Sequence, residues 1–292
     1  MDAFQKTEVQ IISAFVDHDR GGNPAGVVLH ADHLSNEEKL AIAQKVGLSE
    51  TAFVSKSNIA DFKLDFFTPA RQIAHCGHAT IATFSYLAQQ NMIVGWRSSK
   101  ETIDGTRQIL LQGELAFMEQ NAPYYQEVEA QSVKILKSLQ LTKDDLLPGA
   151  PMILANTGNS FLLVPVKSAA VLKGIKPELD EITGISEELD LIGYYVFTTE
   201  TSSVERAASA RMFAPRYAIE EESGTGMAAG PLACYLFDQM GIKKSRFLIE
   251  QGWYMKEPSP SLITVDLTFN SDNEITRVMA GGKGIMMKKM LV

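Results

Sequence analysis

Segments of alternating or continuous apolar residues, rich in β-branched side chains, recur along the chain and predict strands. The first quarter contains four such segments, at 7–16, 25–30, 51–56 and 62–67. A different pattern, with apolar residues three and four positions apart, covers 37–46 and predicts a helix. Ser35 and Glu38 form a capping-box pattern at its start, and Gly47 is suited to end it. The Gly-Gly-Asn-Pro run at 21–24 is typical of a loop.

The rest of the chain repeats this alternation of strands with single helices. Further helices are predicted at 77–90, 132–141, 185–191 and 224–240, the last of them ending at Gly241. A hairpin of two strands is predicted over 106–120. Single strands are predicted at 191–200, 205–213, 262–269, 275–280 and 284–292. Pro123-Tyr-Tyr is the best candidate for a linker. This order predicts an α+β fold in which each of two lobes wraps a curved mixed sheet around a helix.

One segment occurs twice, and the two copies lie half the length of the 292-residue chain apart. The first reads FFTPARQIAHCGHATIATFSYLAQQ and the second MFAPRYAIEEESGTGMAAGPLACYLFDQM. Both contain Phe-x-Pro-x-x-x-Ile and then pass through a glycine-containing turn into a helical pattern. The repeat predicts two similar lobes, each presenting a helix N-terminus. Two such ends facing one cleft would bind a small anion.

Composition narrows the function classes. A length of 292 residues favours two domains, and 45% apolar with 21% charged residues is ordinary for a globular protein. The net charge of −8 argues against nucleic-acid binding. No apolar run approaches the length of a membrane span, and the N-terminal MDAFQKTEVQ lacks a signal-peptide core. Two cysteines form no disulfide framework, so we expect a cytoplasmic protein.

Several side chains near the first copy of the repeat could carry chemistry. His78, at the predicted helix start, is either an acid-base group or a turn histidine. Glu50 is either a cap residue or a base in an apolar setting. Cys76 is either a thiol activated by the helix N-terminus, with a lowered pKa, or a small buried hydrophobe. His75 and Cys234 are interpreted as structural.

In the second copy, three glutamates precede the Gly224-Thr225-Gly226 turn. Glu220, Glu221 and Glu222 either form a solvated face or direct one carboxylate inward, and periodicity does not choose among them. The sequence contains no Cys-x-x-Cys pair, Walker loop, G-x-G-x-x-G fingerprint or G-x-S-x-G elbow. We therefore expect neither a metal nor a cofactor, and proton transfer is the chemistry that these residues allow.

Four blocks together resemble the PhzF-like isomerase family, which is named for a phenazine-biosynthesis enzyme and is related to diaminopimelate epimerase. They are GNPAGVVL, LSETAFV, FFTPxxxIxxCGHATIA and RMFAPxYxIEExxGTGxAAGPLAxYL, and they span nearly the whole chain. The resemblance implies a diaminopimelate epimerase-like fold, with the site between two pseudo-symmetric lobes. It implies a homodimer, no cofactor, and movement of a proton on a small anionic, carboxylate-bearing metabolite. The expected lobes are residues 1–120, which the strand at 283–292 could complete, and residues 125–282.

The resemblance also assigns roles to residues. It makes Glu50 the leading acid-base group, with His78 and Glu222 as catalytic partners. Substrate-binding positions implied by the matching blocks are Asn23, Pro24, Cys76, Gly77, Ser223, Gly224, Thr225 and Gly226. Gly22 belongs to the Gly-Asn-Pro block as well.

Three positions depart from the family pattern. Glu222 replaces an aspartate, Met227 replaces a serine that could donate a hydrogen bond, and Gln72 replaces a glutamate. These changes argue against the phenazine precursor as substrate. Two alternatives stay open: an amino-acid racemase or epimerase that uses Cys76, and a catalytically degenerate protein that binds a metabolite or another protein. The first is weakened because Ser223 occupies the position of the second epimerase cysteine.

Overall fold

The computed structural model describes residues 6–292, which divide into two units. We call the residues up to Glu119 together with Gly281–Val292 the N-terminal unit, and Gln120–Ala280 the C-terminal unit. The fold is a mixed α/β fold with a closed β-barrel and few helices. No helix within residues 6–292 is both long enough and apolar enough to cross a bilayer.

The N-terminal unit contains two helices and a ring of paired strands. Its helices are α1 (Asn36–Val46) and α2 (Gly77–Gln89). Its strands are β1 (Glu8–Ala14), β2 (Asn23–Val28), β3 (Thr51–Ser55), β4 (Phe62–Phe67), β5 (Gln72–Ile73), β6 (Arg97–Thr102), β7 (Gly105–Gln112) and β8 (Leu115–Gln120). The strand β17 (Ile275–Leu291) pairs with β1 and with β8, and so closes the barrel.

Strand pairing in this barrel is mixed. The strand β1 is antiparallel to β2, whereas β2 and β3 are parallel, as are β4 and β6. The helix α2 is buried from Gly77 to Leu87 and packs against the first three strands. Its small residues allow this burial because the strands can approach its backbone closely. Its buried N-terminal end carries the candidate residues of this unit.

The C-terminal unit contains four helices and a second set of strands. Its helices are α3 (Ser132–Ser138), α4 (Ala169–Gly174), α5 (Leu179–Glu188) and α6 (Gly226–Asp238). Its strands are β9 (Tyr124–Glu127), β10 (Ile153–Asn156), β11 (Ser160–Pro165), β12 (Gly193–Thr198), β13 (Ala208–Ala214), β14 (Ile219–Glu222), β15 (Arg246–Gln251) and β16 (Ser261–Phe269). A core cluster of aliphatic and aromatic side chains packs α3, α4 and α5 against β10–β13. The helix α6 is buried from Ala228 to Phe237.

Several local predictions are confirmed. The capping box at the start of α1 is present, and Gly47 ends that helix in the left-handed conformation. The hairpin predicted over 106–120 is formed by β7 and β8.

Other local predictions are wrong. The predicted linker at Pro123-Tyr-Tyr lies a few residues after the boundary between the units at Glu119 and Gln120, and its two tyrosines belong to β9, which pairs with β10. Asn23 and Pro24, predicted in a loop, belong to β2. The helix predicted at 185–191 begins at Leu179 and ends at Glu188, and α6 ends at Asp238, before Gly241.

The two predicted closing strands are one continuous strand, β17. A Cβ on Gly281 would lie 2.1 Å from the carbonyl oxygen of Ala116. The glycine therefore allows β17 to pass close to the neighbouring strand instead of ending it.

Candidate active site

Glu50 lies between the end of α1 and the first residue of β3, at a close approach of two parallel strands. Its carbonyl oxygen accepts a 3.0 Å hydrogen bond from the N–H of Gly26 on β2. A Cβ at Gly26 would lie 2.8 Å from Thr51 Oγ1, so a glycine is needed for this approach. Glu50 is only 8% exposed. Carboxylates are rarely buried to this extent without a polar partner.

That partner is His78, in the first turn of α2. His78 is 4% exposed, and its Nε2 lies 3.3 Å from Glu50 Oε2. Its Nδ1 lies 3.6 Å from the Sγ of Cys76, the N-cap residue of α2. The structure therefore brings three predicted residues together, with the imidazole between the carboxyl group and the thiol. A proton can pass between the carboxyl group and the ring at this separation after a small adjustment.

The structure decides between the two interpretations of Cys76. Burial raises the pKa of Cys76, and the neighbouring imidazole of His78 offsets this only in part. The small buried hydrophobe is therefore supported over the activated thiol, because loss of hydration outweighs the favourable position at the helix N-terminus. At neutral pH the thiol keeps its proton and is a poor base.

The same three side chains also have the donor types that bind soft metal ions. Their oxygen, nitrogen and sulfur atoms lie within 4.8 Å of one another. However, the two ring nitrogens of His78 face different neighbours, one the carboxyl group and the other the thiol. A single ion can take only one of these nitrogens, so the carboxyl group, the imidazole and the thiol form a line of neighbouring groups and not a converging ligand set.

In the C-terminal unit, the three glutamates that periodicity could not distinguish have different surroundings. Glu220 is exposed. The carboxylate of Glu221 accepts two 2.8 Å hydrogen bonds from the guanidinium of Arg211, which is 6% exposed. Glu222 accepts a short hydrogen bond from the hydroxyl of Thr225. Of the three, Glu222 is therefore the carboxylate held beside the start of α6.

Gln251, which the sequence did not single out, fixes this turn. It is fully buried, and its Oε1 accepts hydrogen bonds from the Tyr195 hydroxyl at 2.9 Å and from the Thr225 N–H at 3.1 Å. Its Nε2 donates to the Glu222 carbonyl oxygen at 2.7 Å and to Thr225 Oγ1 at 3.1 Å. Because Thr225 Oγ1 accepts from Gln251, its own proton is directed to the Glu222 carboxylate. A glutamine at the end of a strand has no sequence signal that would reveal this.

This network changes one expectation about anion binding. The N–H of Thr225 is already used by Gln251, so it is not a donor for a substrate carboxylate. Thr225 is the N-cap residue of α6, and Gly226 is the first residue of the helix. Ser223 lies two residues before that N-cap and is buried, and Gly224 lies between them.

The remaining predicted positions lie on β2 or beside the two helix starts. Asn23 and Pro24 are opposite Ala14 and Ser13 of β1, and Asn23 is buried. Gln72 Nε2 is 3.5 Å from Asp65 Oδ1, at the limit of a hydrogen bond. Met227 accepts a weak hydrogen bond at its sulfur from Asn159. None of these contacts assigns a chemical role.

Comparison with known proteins agrees with the resemblance seen in the sequence. The PhzC-PhzF family, described as phenazine biosynthesis-like protein, matches residues 12–289. The uncharacterized isomerase YddE of Escherichia coli O157:H7 is 33% identical over 242 residues, which are 79% of each chain. The trans-2,3-dihydro-3-hydroxyanthranilate isomerase of Pseudomonas chlororaphis is 29% identical over 94% of this chain and 95% of its own.

A solved structure of a related protein has the same fold over nearly the whole chain. The crystal structure of the Bacillus anthracis phenazine biosynthesis protein of the PhzF family superposes with a TM-score of 0.91. It is 27% identical in sequence, and the match covers 99% of both chains. Sequence and fold therefore agree along nearly the entire length.

Proposed function

The chain belongs to the phenazine biosynthesis-like family and is an isomerase, and from that premise we propose that it relocates a proton on a small carboxylate-bearing metabolite without a cofactor. The observation that carries the proposal is the buried Glu50 carboxyl group beside His78 Nε2. A carboxylate with this exposure keeps few waters, so a substrate C–H bond can approach its oxygen atoms without displacing a full hydration shell.

In the proposed reaction, Glu50 takes a proton from a carbon atom of the substrate. The electron pair of the broken C–H bond enters the adjacent conjugated system, and a distant carbon of that system receives a proton. Glu50 returns its proton there directly or through His78, so the enzyme ends in its starting state. The substrate keeps its atoms and its oxidation level, as an isomerisation requires.

Each unit has a helix N-terminus that could bind an anion. We infer that the substrate carboxylate binds main-chain N–H groups at the start of α2, around Gly77. In the C-terminal unit, the main-chain N–H of Gly226 is the corresponding donor at the start of α6. The Glu222 carboxylate, held by Thr225, would orient a hydroxyl or amino group of the substrate.

The experiment is a heavy-water exchange screen. The protein is incubated in D₂O with a panel of small unsaturated and amino carboxylates, including trans-2,3-dihydro-3-hydroxyanthranilate, and deuterium uptake is read by mass spectrometry. The proposal expects uptake at carbon for at least one compound. Thermal-shift binding by several compounds, with neither deuterium uptake nor conversion to an isomer, would instead favour a protein that binds metabolites without catalysis.

Replacing Cys76 with serine separates the proposal from a thiol-based racemase. Because the thiol keeps its proton at neutral pH, Cys76→Ser should retain the exchange rate within about tenfold, whereas loss of a group that transfers the proton costs about 10²–10⁴. The rate is measured with the same exchange assay. A loss in the larger range, with Cys234→Ser unaffected, would favour the thiol mechanism.

We also propose that the protein is a homodimer, which the family resemblance suggests, and that it is cytoplasmic, because its two cysteines form no disulfide framework. Light scattering coupled to size-exclusion chromatography gives the mass directly. A mass near twice the 32.1 kDa of one chain is expected. A mass of one chain at micromolar concentration would contradict the dimer.

A further inference from the structure

A lysine without a carboxylate partner is buried behind the Cys76–His78 turn. Lys100 lies on β6, and its side chain is fully buried. Its Nζ is 2.6 Å from Thr80 Oγ1 and 3.2 Å from His75 Nδ1, and it lies 5.1 Å from the centre of the Phe66 ring. Its hydrogen-bond partners, Thr80 and His75, include no carboxylate. Buried lysines are rare without an acidic partner.

The contacts of Thr80 connect this lysine to the turn. The Thr80 hydroxyl donates to the Cys76 carbonyl oxygen at 2.6 Å, and the Thr80 N–H donates to the same oxygen at 3.3 Å. A hydroxyl has one proton, so Oγ1 can only accept from Lys100. The lysine thereby fixes which way the Thr80 proton points.

An ammonium group at this position has three neighbours that interact favourably with it. The hydroxyl of Thr80 and the ring nitrogen of His75 accept hydrogen bonds, and the face of Phe66 attracts the positive charge. Burial lowers the pKa of His75 well below its usual value, so the ring is neutral and can accept. The site is therefore built around a lysine head group, and another residue of similar length would not reproduce its contacts.

We propose that Lys100 is a positioning residue for the active-site turn, acting through Thr80 on the Cys76 carbonyl and through its charge on the Cys76 thiol. This rests on the proposed function, in which that turn carries His78 and the first anion-binding N–H groups. Lys100 is buried away from solvent, so it acts on these groups and not on the substrate itself.

The charge of Lys100 changes in the neutral range. Burial lowers its pKa to about 7, with the positive charge of Arg107 on β7 contributing in the same direction. Cys76 at the start of α2 and Asp104 in the turn after β6 oppose that shift. From β4, the side chain that contacts the Lys100 ammonium group is the uncharged Phe66 ring. The other titratable side chain in contact with Lys100 is His75, which is neutral. The ammonium form is therefore present below pH 7 and is lost as the pH rises through that value.

Thiol modification tests the proposal without a substrate. In a Cys234→Ser background, the rate at which methyl methanethiosulfonate modifies Cys76 is measured by intact mass between pH 5.5 and 9. The Lys100 charge favours the thiolate, so Lys100→Met should slow modification several-fold at pH 6, and the difference should vanish at pH 9. Thr80→Val keeps the charge but loses the link to the carbonyl, and it should change the rate by the same factor at both pH values.

A matched control uses another buried lysine of the same unit. Lys39 is 2.6 Å from Asp65, so Lys39→Met combined with Asp65→Asn removes a neutral pair. This double variant should leave the pH dependence of the modification rate as in wild type. A Lys100→Met rate equal to wild type at pH 6, or a slowing independent of pH, would overturn the proposal.

The titration of Lys100 can also be measured in the wild-type protein, which avoids a substitution that could prevent folding. Carbon-13 NMR of lysine-labelled wild-type protein follows the Lys100 Cε signal with pH. A midpoint near pH 7 is expected, and a midpoint near 10.5 would overturn the role of the charge. Because neither assay uses a substrate, both stay informative if the deuterium screen finds no turnover.

Discussion

Replacement of Glu50 by glutamine is expected to lower the rate of carbon–deuterium exchange by roughly a thousandfold. Glutamine keeps the size of the side chain and an oxygen that faces His78, but an amide cannot accept the proton from carbon. Loss of a positioned general base costs about 10²–10⁴ in rate. The change is measured with whichever carboxylate shows the fastest exchange in wild type.

Two other glutamates provide controls for this result. Glu220→Gln alters an exposed carboxylate of the same chain and should leave the rate unchanged. Glu222→Gln keeps an acceptor for the Thr225 hydroxyl, so it should raise the substrate concentration for half-maximal rate more than it lowers the maximal rate. A Glu50→Gln variant as active as wild type would sink the proposed mechanism.

Replacement of Arg211 by methionine is expected to lower the free energy of unfolding by about 3 kcal/mol, because it removes one member of a buried ion pair. The guanidinium donates two hydrogen bonds to Glu221 and two more to the carbonyl oxygens of Leu172 and Ile175. Methionine fills a similar volume but leaves the Glu221 carboxylate and two buried carbonyl groups without these donors. Urea denaturation followed by circular dichroism measures the change.

Arg246 offers a matched control on the protein surface. It makes the same two-pronged contact with Asp266, at 2.6 and 2.7 Å, but the two side chains are 47% and 32% exposed. Arg246→Met should therefore cost less than about 1 kcal/mol. Equal losses in the two variants would show that burial does not determine the contribution of the Arg211 pair.

The parts of the fold that follow from local chemistry could be predicted from the sequence. The capping box at Ser35 and the glycine at 47 set the limits of α1, and the small-residue pattern after Gly77 marks α2. Helix ends far from such signals were less well predicted. Nothing in ISEELDL shows that α5 begins at Leu179, because the burial of Ile182 and Ile185 against the core, not a cap, sets its position.

Some features of the candidate site could likewise be predicted from the sequence, and others required the structure. Glu50 and His78 could be named as candidates from their positions, but the family resemblance, not the local pattern, assigned them catalytic roles. The resemblance also selected Glu222, whereas periodicity could not show that Arg211 on the neighbouring strand pairs with Glu221. The sequence also could not show how far burial outweighs the helix N-terminus at Cys76.

Gln251 and Lys100 escaped prediction for a common reason. Gln251 lies on β15, the strand after α6, and contacts the Thr225 hydroxyl at the start of that helix. Lys100 lies on β6, the strand after α2, and contacts the Thr80 hydroxyl in the first turn of that helix. Gln251 directs the Thr225 proton to Glu222, and Lys100 directs the Thr80 proton to the Cys76 carbonyl. Such contacts depend on strand register, which no local sequence pattern specifies.

A crystal structure with the fastest-exchanging carboxylate bound would show whether Glu50 is the base. The substrate carboxylate is expected about 3 Å from a main-chain nitrogen atom at the start of α2, around Gly77. The exchanging carbon is expected about 3–3.5 Å from a carboxylate oxygen of Glu50. A ligand whose exchanging carbon is out of reach of Glu50, or faces Cys76 instead, would contradict that role of Glu50.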